Sequence, residues 1–367
     1  MAENNATETT FSGRLRGASV STADALLNFK PQTGMWAATA TALAYAPSLT
    51  ELRSPLAGGE NIEFNHHGHS SRTVVRDNSG AAVLAPARTK TQLFQSTKSA
   101  TAEDASTKVK DDGTRSGPPQ RRRTLAEQAQ VPAEHQHNWR LTILHGLTAA
   151  WKFVSTPTGF LMTIYGLNIV AWGAMLFFLL LGAAPAMNHP SKDDDSSPRK
   201  KWIEIDSQIL NALFCVTGFG LAPWRFRDLY WLIKVQWVKD RHAMKRLSEQ
   251  NASWFRVPEW YHEGESENER RVTFTGQVAP PTSMWKLSFV VWMMIWNTLF
   301  QAVLAAMMWA YNRFDRPSWS TGTLIGLGCG VSLMAGIMMW WEGRKVKKIE
   351  GPIVKVVDAV GTKIEDI

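Results

Sequence analysis

The chain has 367 residues, 40 Lys plus Arg against 32 Asp plus Glu, and only two cysteines, Cys215 and Cys329. That cysteine count excludes a disulfide framework and a thiolate zinc site. The basic surplus sits beside apolar runs, which points to anionic lipid headgroups as the partner at the cytoplasmic face and excludes nucleic acid.

Residues 1–138 hold one of the 17 tryptophans, Trp36, and spread Ser, Thr, Gly, Pro and charge without a helical or strand period. Such a segment cannot bury enough apolar surface to offset its ordering entropy, so a disordered polar cytoplasmic tail is expected. Within it, Met35–Ala46 is the best local helix candidate, expected to be transient. The first 30 residues lack the apolar core of a cleaved leader. His66, His67 and His69 stand in an HHGH tract without carboxylates or thiols at ligand spacing, and read as a solvated polar tract rather than a metal site. Arg121, Arg122 and Arg123 read as a solvated charge cluster.

From Trp139 to Phe153, Leu141, Leu144, Leu147 and Trp151 recur at helical spacing and predict an amphipathic interfacial helix. Four runs without Asp, Glu, Lys or Arg follow: Phe153–Ser191, Ser207–Trp224, Leu287–Asn312 and Pro317–Trp341. At a rise of about 1.5 Å per residue, roughly 20 apolar residues cross the ~30 Å hydrocarbon slab. Membrane crossings are therefore expected at 160–183, 207–224, 287–311 and 319–341. The second is short and contains Gly218, Gly220 and Pro223, so it either crosses or folds back as a re-entrant helix; crossing is the favoured reading. A second amphipathic helix is expected after Arg225, with Phe226, Leu229, Tyr230, Ile233 and Trp237 on its apolar face.

Arg225–Lys286 carries 11 Lys plus Arg, against four between the first two runs and two between the last two. The positive-inside rule then puts the 225–286 loop and both termini in the cytoplasm. The sequons at Asn251 and Asn5 are accordingly expected to stay unglycosylated. The domain reading is a 1–138 tail, a 139–351 membrane domain and a 352–367 cytoplasmic C-terminal tail.

Polar amides inside hydrocarbon need partners there. Asn168, Asn211, Asn297 and Gln301 are the candidate intramembrane contacts, as structural glue or as the lining of a solute path. Gly322, Gly326 and Gly330 form a small-residue ridge suited to close helix packing, within the bundle or between copies. Most tryptophans suit interface belts, and Trp292 and Trp296 are expected to face lipid and packing partners. No charged residue falls inside a run, which weighs against a proton-coupled pump. There is no Walker A loop, G-x-S-x-G elbow or H-E-x-x-H pair, and the neighbours His262 and Glu263 fall on different faces of any helix or strand. No catalytic residue, cofactor or metal ligand is indicated.

The passages PTGFLMTIYGLNIVAWGAML (157–176), SQILNALFCVTGFGLAPWRFRDLYW (207–231), WKLSFVVWMMIWNTLFQAVL (285–304) and NRFDRPSWSTG (312–322) resemble a fungal family of multi-pass membrane proteins known only as a domain of unknown function. The resemblance spans about 139–351. It implies a fungal source and an integral membrane core, and transfers no site residue. The expected fold is an all-α membrane bundle of four transmembrane helices with interfacial amphipathic helices and a disordered N-terminal tail. The expected function is a non-enzymatic membrane organiser that recruits partners or self-associates; the alternative is a small-solute transporter or channel with an amide-lined path.

Overall fold

The computed structural model describes residues 31, 34–53, 62–65, 67–76, 82–84, 139–191, 194–262, 273–357 and 363–365. The disorder expected for 1–30 and 85–138, the arginine triplet, His66, Glu263 and the Asn5 sequon lie outside the described residues. The helices are α1 Met35–Ala44, α2 Leu49–Arg53, α3 Trp139–Val154, α4 Pro157–Leu181, α5 Pro198–Gly220, α6 Ala222–Val238, α7 Arg241–Gln250, α8 Glu259–His262, α9 Met284–Ala310 and α10 Ser318–Glu350. The strands are β1 Glu63–Phe64, β2 Ser70–Arg76, β3 Ala82–Leu84, β4 Ile353–Val357 and β5 Lys363–Glu365. Contacts divide them into two compact units.

The helical unit draws on Met1–Ala44, Phe160–Glu265 and Pro280–Val346. The helices α4, α9 and α10 are each long and apolar enough to cross a membrane, and α5 with α6 makes a fourth span if the pair, bent by 41°, counts as one. The bend falls at Leu221, the residue between the two helices. Pro223 lacks the amide needed to continue the helical ladder, and Gly218 and Gly220 weaken the turn before it. Helix ends lie outside the charge boundaries: α5 starts at Pro198 behind the Ser197 cap, and α10 continues to Glu350. Charge marks where a membrane surface falls, whereas a helix ends where its hydrogen bonding stops.

Two expectations change in this unit. The apolar stripe of α6 faces outward: Phe226, Tyr230 and Trp237 are exposed, while Arg225, Asp228, Leu232 and Val235 are buried. A helix bathed in hydrocarbon turns its apolar face out and its charges in, the reverse of a helix in water. The second change is α1, which is a packed part of the bundle and not a transient helix in a disordered tail. Ala37, Ala38, Ala40, Thr41 and Ala44 are buried, and a Cβ on Gly336 of α10 would stand 3.2 Å from the Trp36 carbonyl. Ten residues reach only about 15 Å, half the hydrocarbon thickness, so α1 does not span.

Leu232, Met244, Leu247, Trp254, Phe255, Leu287, Val290 and Met294 form the main core with Ala37 and Met339. Asp240 caps α7 by accepting from the amides of Ala243 and His242, which hold its carboxyl below the usual carboxylate range. The sequon residue Asn251 is buried, donating to the Leu247 carbonyl at 3.0 Å and accepting from the Trp254 indole at 3.1 Å. Its amide is therefore occupied on both ends.

The second unit draws on Tyr45–Gly159, Ser266–Ala279 and Lys347–Ile367. The described residues are mostly helical, as expected, but this unit adds a sheet to the all-α expectation, in the order β1-β2-β4-β5 with β3 paired to β2. Strands β2 and β4 run parallel, with Ser71 opposite Ile353 and Val75 opposite Val357. Segments expected as separate tails thus share one sheet; the β-branched residues concentrated in RTVVR and IVKVV are the strand signal for it. The end of α10 is tied in locally, since Lys347 Nζ pairs with Glu51 at 3.0 Å and donates to the Ala46 carbonyl at 2.7 Å. Gly351 then turns the chain at a φ of 83°, where a Cβ would also stand 2.9 Å from Phe274. On α3, Ala149 packs with Leu52 and Ile62, while Leu141, Leu144, Leu147 and Trp151 stay exposed as the amphipathic pattern requires. His67 and His69 sit in a turn closed by the Asn65 side chain, and His69 is buried rather than solvated.

Candidate functional site

The helical unit brings three of the four candidate amides into one polar layer. Gln301 of α9 donates through Nε2 to Asn211 Oδ1 of α5 at 3.0 Å and lies 3.1 Å from Cys215 Sγ. The approach is possible because α5 offers Gly218 at the crossing; a Cβ there would stand 2.7 Å from Gln301 Cγ. One turn earlier on α9, Asn297 donates to the Gly328 carbonyl of α10 at 3.0 Å. Asn168 is the exception. Its Nδ2 returns to the Ile164 carbonyl of its own helix at 2.9 Å, on an exposed face of α4.

The residue that organises the layer is Arg225, which is 3% exposed. Its Nη1 donates to Asn297 Oδ1 and Thr298 Oγ1, both at 2.8 Å, and to the Met294 carbonyl at 3.4 Å. The Thr298 hydroxyl donates to the same carbonyl at 3.2 Å. The expectation that no charge lies within the bundle therefore fails. Charge counting places Arg225 at a membrane surface because it ends a charge-free run. The missed signal is spacing: Arg225, Asp228, Leu232 and Val235 follow helical steps on the face opposite Phe226, Tyr230, Ile233 and Trp237. Asp228, also buried, pairs with Arg227 at 3.1 Å, whose guanidinium lies 4.4 Å from the Trp231 ring centroid.

Beside this layer is a cavity of about 420 Å³. Arg225, Asn297, Gln301 and Tyr165 supply its polar wall, and Trp36, Ile169, Phe214 and Leu324 its apolar one. Tyr165 is fixed by donating to the Leu213 carbonyl at 2.9 Å. The α1 helix forms part of the wall through Gly34, Met35, Trp36 and Thr39. The Gly34 position is tight, with a hypothetical Cβ only 3.0 Å from Arg225 Nη2. The charge-free stretch Pro31–Thr50, as long as a membrane crossing, is the sequence signal for this contribution.

Residues 152–235 match DUF2985, a protein family of unknown function. The DUF2985 segment supplies α4, α5 and most of α6, and with them Tyr165, Asn211, Gly218 and Arg225. It is narrower than the resemblance expected over 139–351. Asn297, Thr298 and Gln301, which face Arg225 and Asn211 from α9, lie beyond it. No curated protein and no solved structure matches the chain.

The remaining candidates stand apart from this layer. Gly322, Gly326 and Gly330 have no described atom within 4 Å of a hypothetical Cβ, whereas Gly328 and Gly336 face neighbours. The ridge is thus not a packing seam within the described bundle; α10 packs on the adjacent face. Trp292 and Trp296 are half exposed, and Trp296 stacks on Phe300 of its own helix at 5.6 Å. Among the described residues no three His, Cys, Asp or Glu side chains gather to hold a metal ion.

The two ends of the amide series should respond differently to truncation. Asn297→Ala removes an acceptor from a buried guanidinium and the tie from α9 to α10 at Gly328, so it should lower stability in detergent by about 2 kcal/mol. Asn168→Ala should stay within about 0.5 kcal/mol of wild type, as exposed substitutions do. Chemical denaturation of the purified protein reads both.

Proposed function

We propose that this chain is a multi-pass membrane protein that binds a small anionic solute in the Arg225 cavity and carries it across the bilayer. The observation that carries this reading is a buried guanidinium on the wall of a cavity of small-ligand size. Removing such a charge from water costs several kcal/mol even after the protein relaxes, and ionisable groups inside membrane bundles mark solute or ion paths. Asn297, Thr298 and Met294 offer uncharged oxygens. They orient the guanidinium toward α9, and a cation on the cavity wall suits a carboxylate or similar anion approaching from the cavity. The apolar wall at Trp36, Phe214 and Leu324 suits a solute with a hydrocarbon body.

Four crossings with both termini cytoplasmic are part of this proposal. Support comes from the second unit, which gathers Tyr45–Gly159, Ser266–Ala279 and Lys347–Ile367. A compact unit lies on one side of a membrane, so the chain between these segments crosses an even number of times. The basic residues of the central loop favour the cytoplasm. A second reading, a non-enzymatic organiser that self-associates, rests on the open face along Gly322, Gly326 and Gly330.

In proteoliposomes, labelled small amphiphilic carboxylates should enter faster than into empty vesicles. Arg225→Gln should cut that uptake at least about tenfold, the loss of one charge-assisted contact, while Asn168→Ala leaves it unchanged. Uptake that persists in Arg225→Gln sinks the reading. For topology, acceptor sites engineered between Asn188 and Ser197 should be glycosylated and sites near Gln250 should not; the opposite pattern refutes the orientation. The organiser reading requires Gly326→Leu to abolish energy transfer between labelled copies in liposomes, and fails if labelled wild-type copies show none.

A further inference from the structure

A second recess lies between α9 and α10, away from the Arg225 cavity. It holds about 450 Å³ and is bounded by Trp285, Lys286 and Phe289 of α9 and by Met334, Met338, Trp341 and Lys345 among the residues of α10. Its two ends differ in chemistry. At one end, Lys286 Nζ and Lys345 Nζ each stand 2.8 Å from the same oxygen, Glu342 Oε1. Two ammonium groups on one carboxylate leave a net charge of +1, and the shared oxygen holds the ammoniums within about two hydrogen-bond lengths of each other. Each ammonium has three N–H donors and uses one here, so both have donors to offer a further anion. The carboxylate is well buried, with its side chain 9% exposed against 19% for Lys286 and 52% for Lys345, so Lys345 carries the outward face of the cluster.

The tryptophans at this end are exposed and flank the cations. Lys286 Nζ lies 5.9 Å from the Trp285 ring centroid and Lys345 Nζ 5.6 Å from that of Trp341. An indole with an apolar body and a polar N–H belongs at the headgroup level of a bilayer. At the other end the recess is wholly apolar, lined by Phe289, Met334, Ile337 and Met338. Along α9, Phe289 follows Lys286 by about one turn toward the middle of the span. Along α10, Met334 precedes Lys345 by three turns toward the middle of its own. Polarity therefore falls from the helix ends toward the hydrocarbon, as it does along a phospholipid.

We propose that this recess binds one anionic phospholipid, its phosphate bridging Lys286 and Lys345 and an acyl chain lying along Phe289, Met338 and Met334. A zwitterionic lipid meets the same phosphate donors, but its positive choline or ethanolamine group adds repulsion against a site already carrying +1. A free phosphate gains the ammoniums and nothing from the apolar half. The anion preference comes from the pair of lysines, and retention from the groove.

Native mass spectrometry of the full-length protein, purified and exposed to equal amounts of phosphatidylglycerol and phosphatidylcholine, tests this. Wild type should retain one phosphatidylglycerol in preference by about tenfold, the effect of one to two lysines at a membrane surface. The triple variant Lys286→Gln, Glu342→Gln, Lys345→Gln keeps polar packing without charge and should lose the preference. Met334→Trp leaves the charges and fills the apolar half, so it should lower retention of the long-chain lipid while keeping the sign of the preference. Short-chain phosphatidylglycerol should compete for the site, and millimolar inorganic phosphate should not. Equal retention of both lipids by wild type, a preference that survives in the triple variant, or equal competition by free phosphate would each overturn the proposal.

Discussion

A guanidinium held inside an apolar helical bundle must find all its hydrogen-bond acceptors in protein, and the helical unit is arranged around that requirement. Arg225 reaches α9 at Asn297, Thr298 and the Met294 carbonyl. Asn297 in turn ties to the Gly328 carbonyl of α10, so one charge links three helices through neutral groups. The bend at Leu221 reorients α6, and the next turns of that helix put Arg225 and Asp228 on its buried face. Gly218, one turn before the bend, permits the close contact that lets Gln301 meet Asn211. Replacing water by a fixed set of dipoles is the general means by which a buried charge is tolerated.

Charge is handled differently at the two recesses. Arg225 donates to a carboxamide, a hydroxyl and a backbone carbonyl of α9. At the end of α10, two lysines converge on a real carboxylate, Glu342, and one of them remains half exposed. Neutral acceptors suit a charge kept deep, where a second ion would carry its own desolvation penalty. A carboxylate shared by two lysines near the helix ends suits a boundary, where the surplus charge, on the half-exposed Lys345, stays available to headgroups.

The spans were legible because composition alone decides whether a helix can sit in hydrocarbon: α4, α9 and α10 follow from runs without charge. The amides were legible for a related reason, since Asn and Gln in such runs must bond to something, and Asn211, Asn297 and Gln301 do. Asn168 shows where that logic stops, because an amide can satisfy itself on the preceding turn of its own helix. Arg225 was hidden by the same rule that found the spans. A rule that ends a span at the first charge cannot see a charge that belongs inside it; only the helical spacing of Arg225 with Asp228, Leu232 and Val235 reveals the buried face. The α1 helix was obscured by its polar surroundings, since averaging over residues 1–138 dilutes a twenty-residue stretch without charge. The sheet was obscured because the local partners β1, β3 and β5 are only two or three residues long, and the longest pairing joins β2 to β4 from far along the chain.

That distance has a consequence for how the protein is made. Strand β2, at Ser70–Arg76, acquires its parallel neighbour only when Ile353–Val357 has been synthesised, after every candidate span has been translated. Contacts so remote in sequence form late, because a long loop must close before they contribute. Until then β2 presents an unpaired edge, the kind of surface on which chaperones or other chains can settle. Completion of the sheet therefore follows translation of the helical spans, and the pairing of β2 with β4 serves as a signature that the whole intervening chain has been produced.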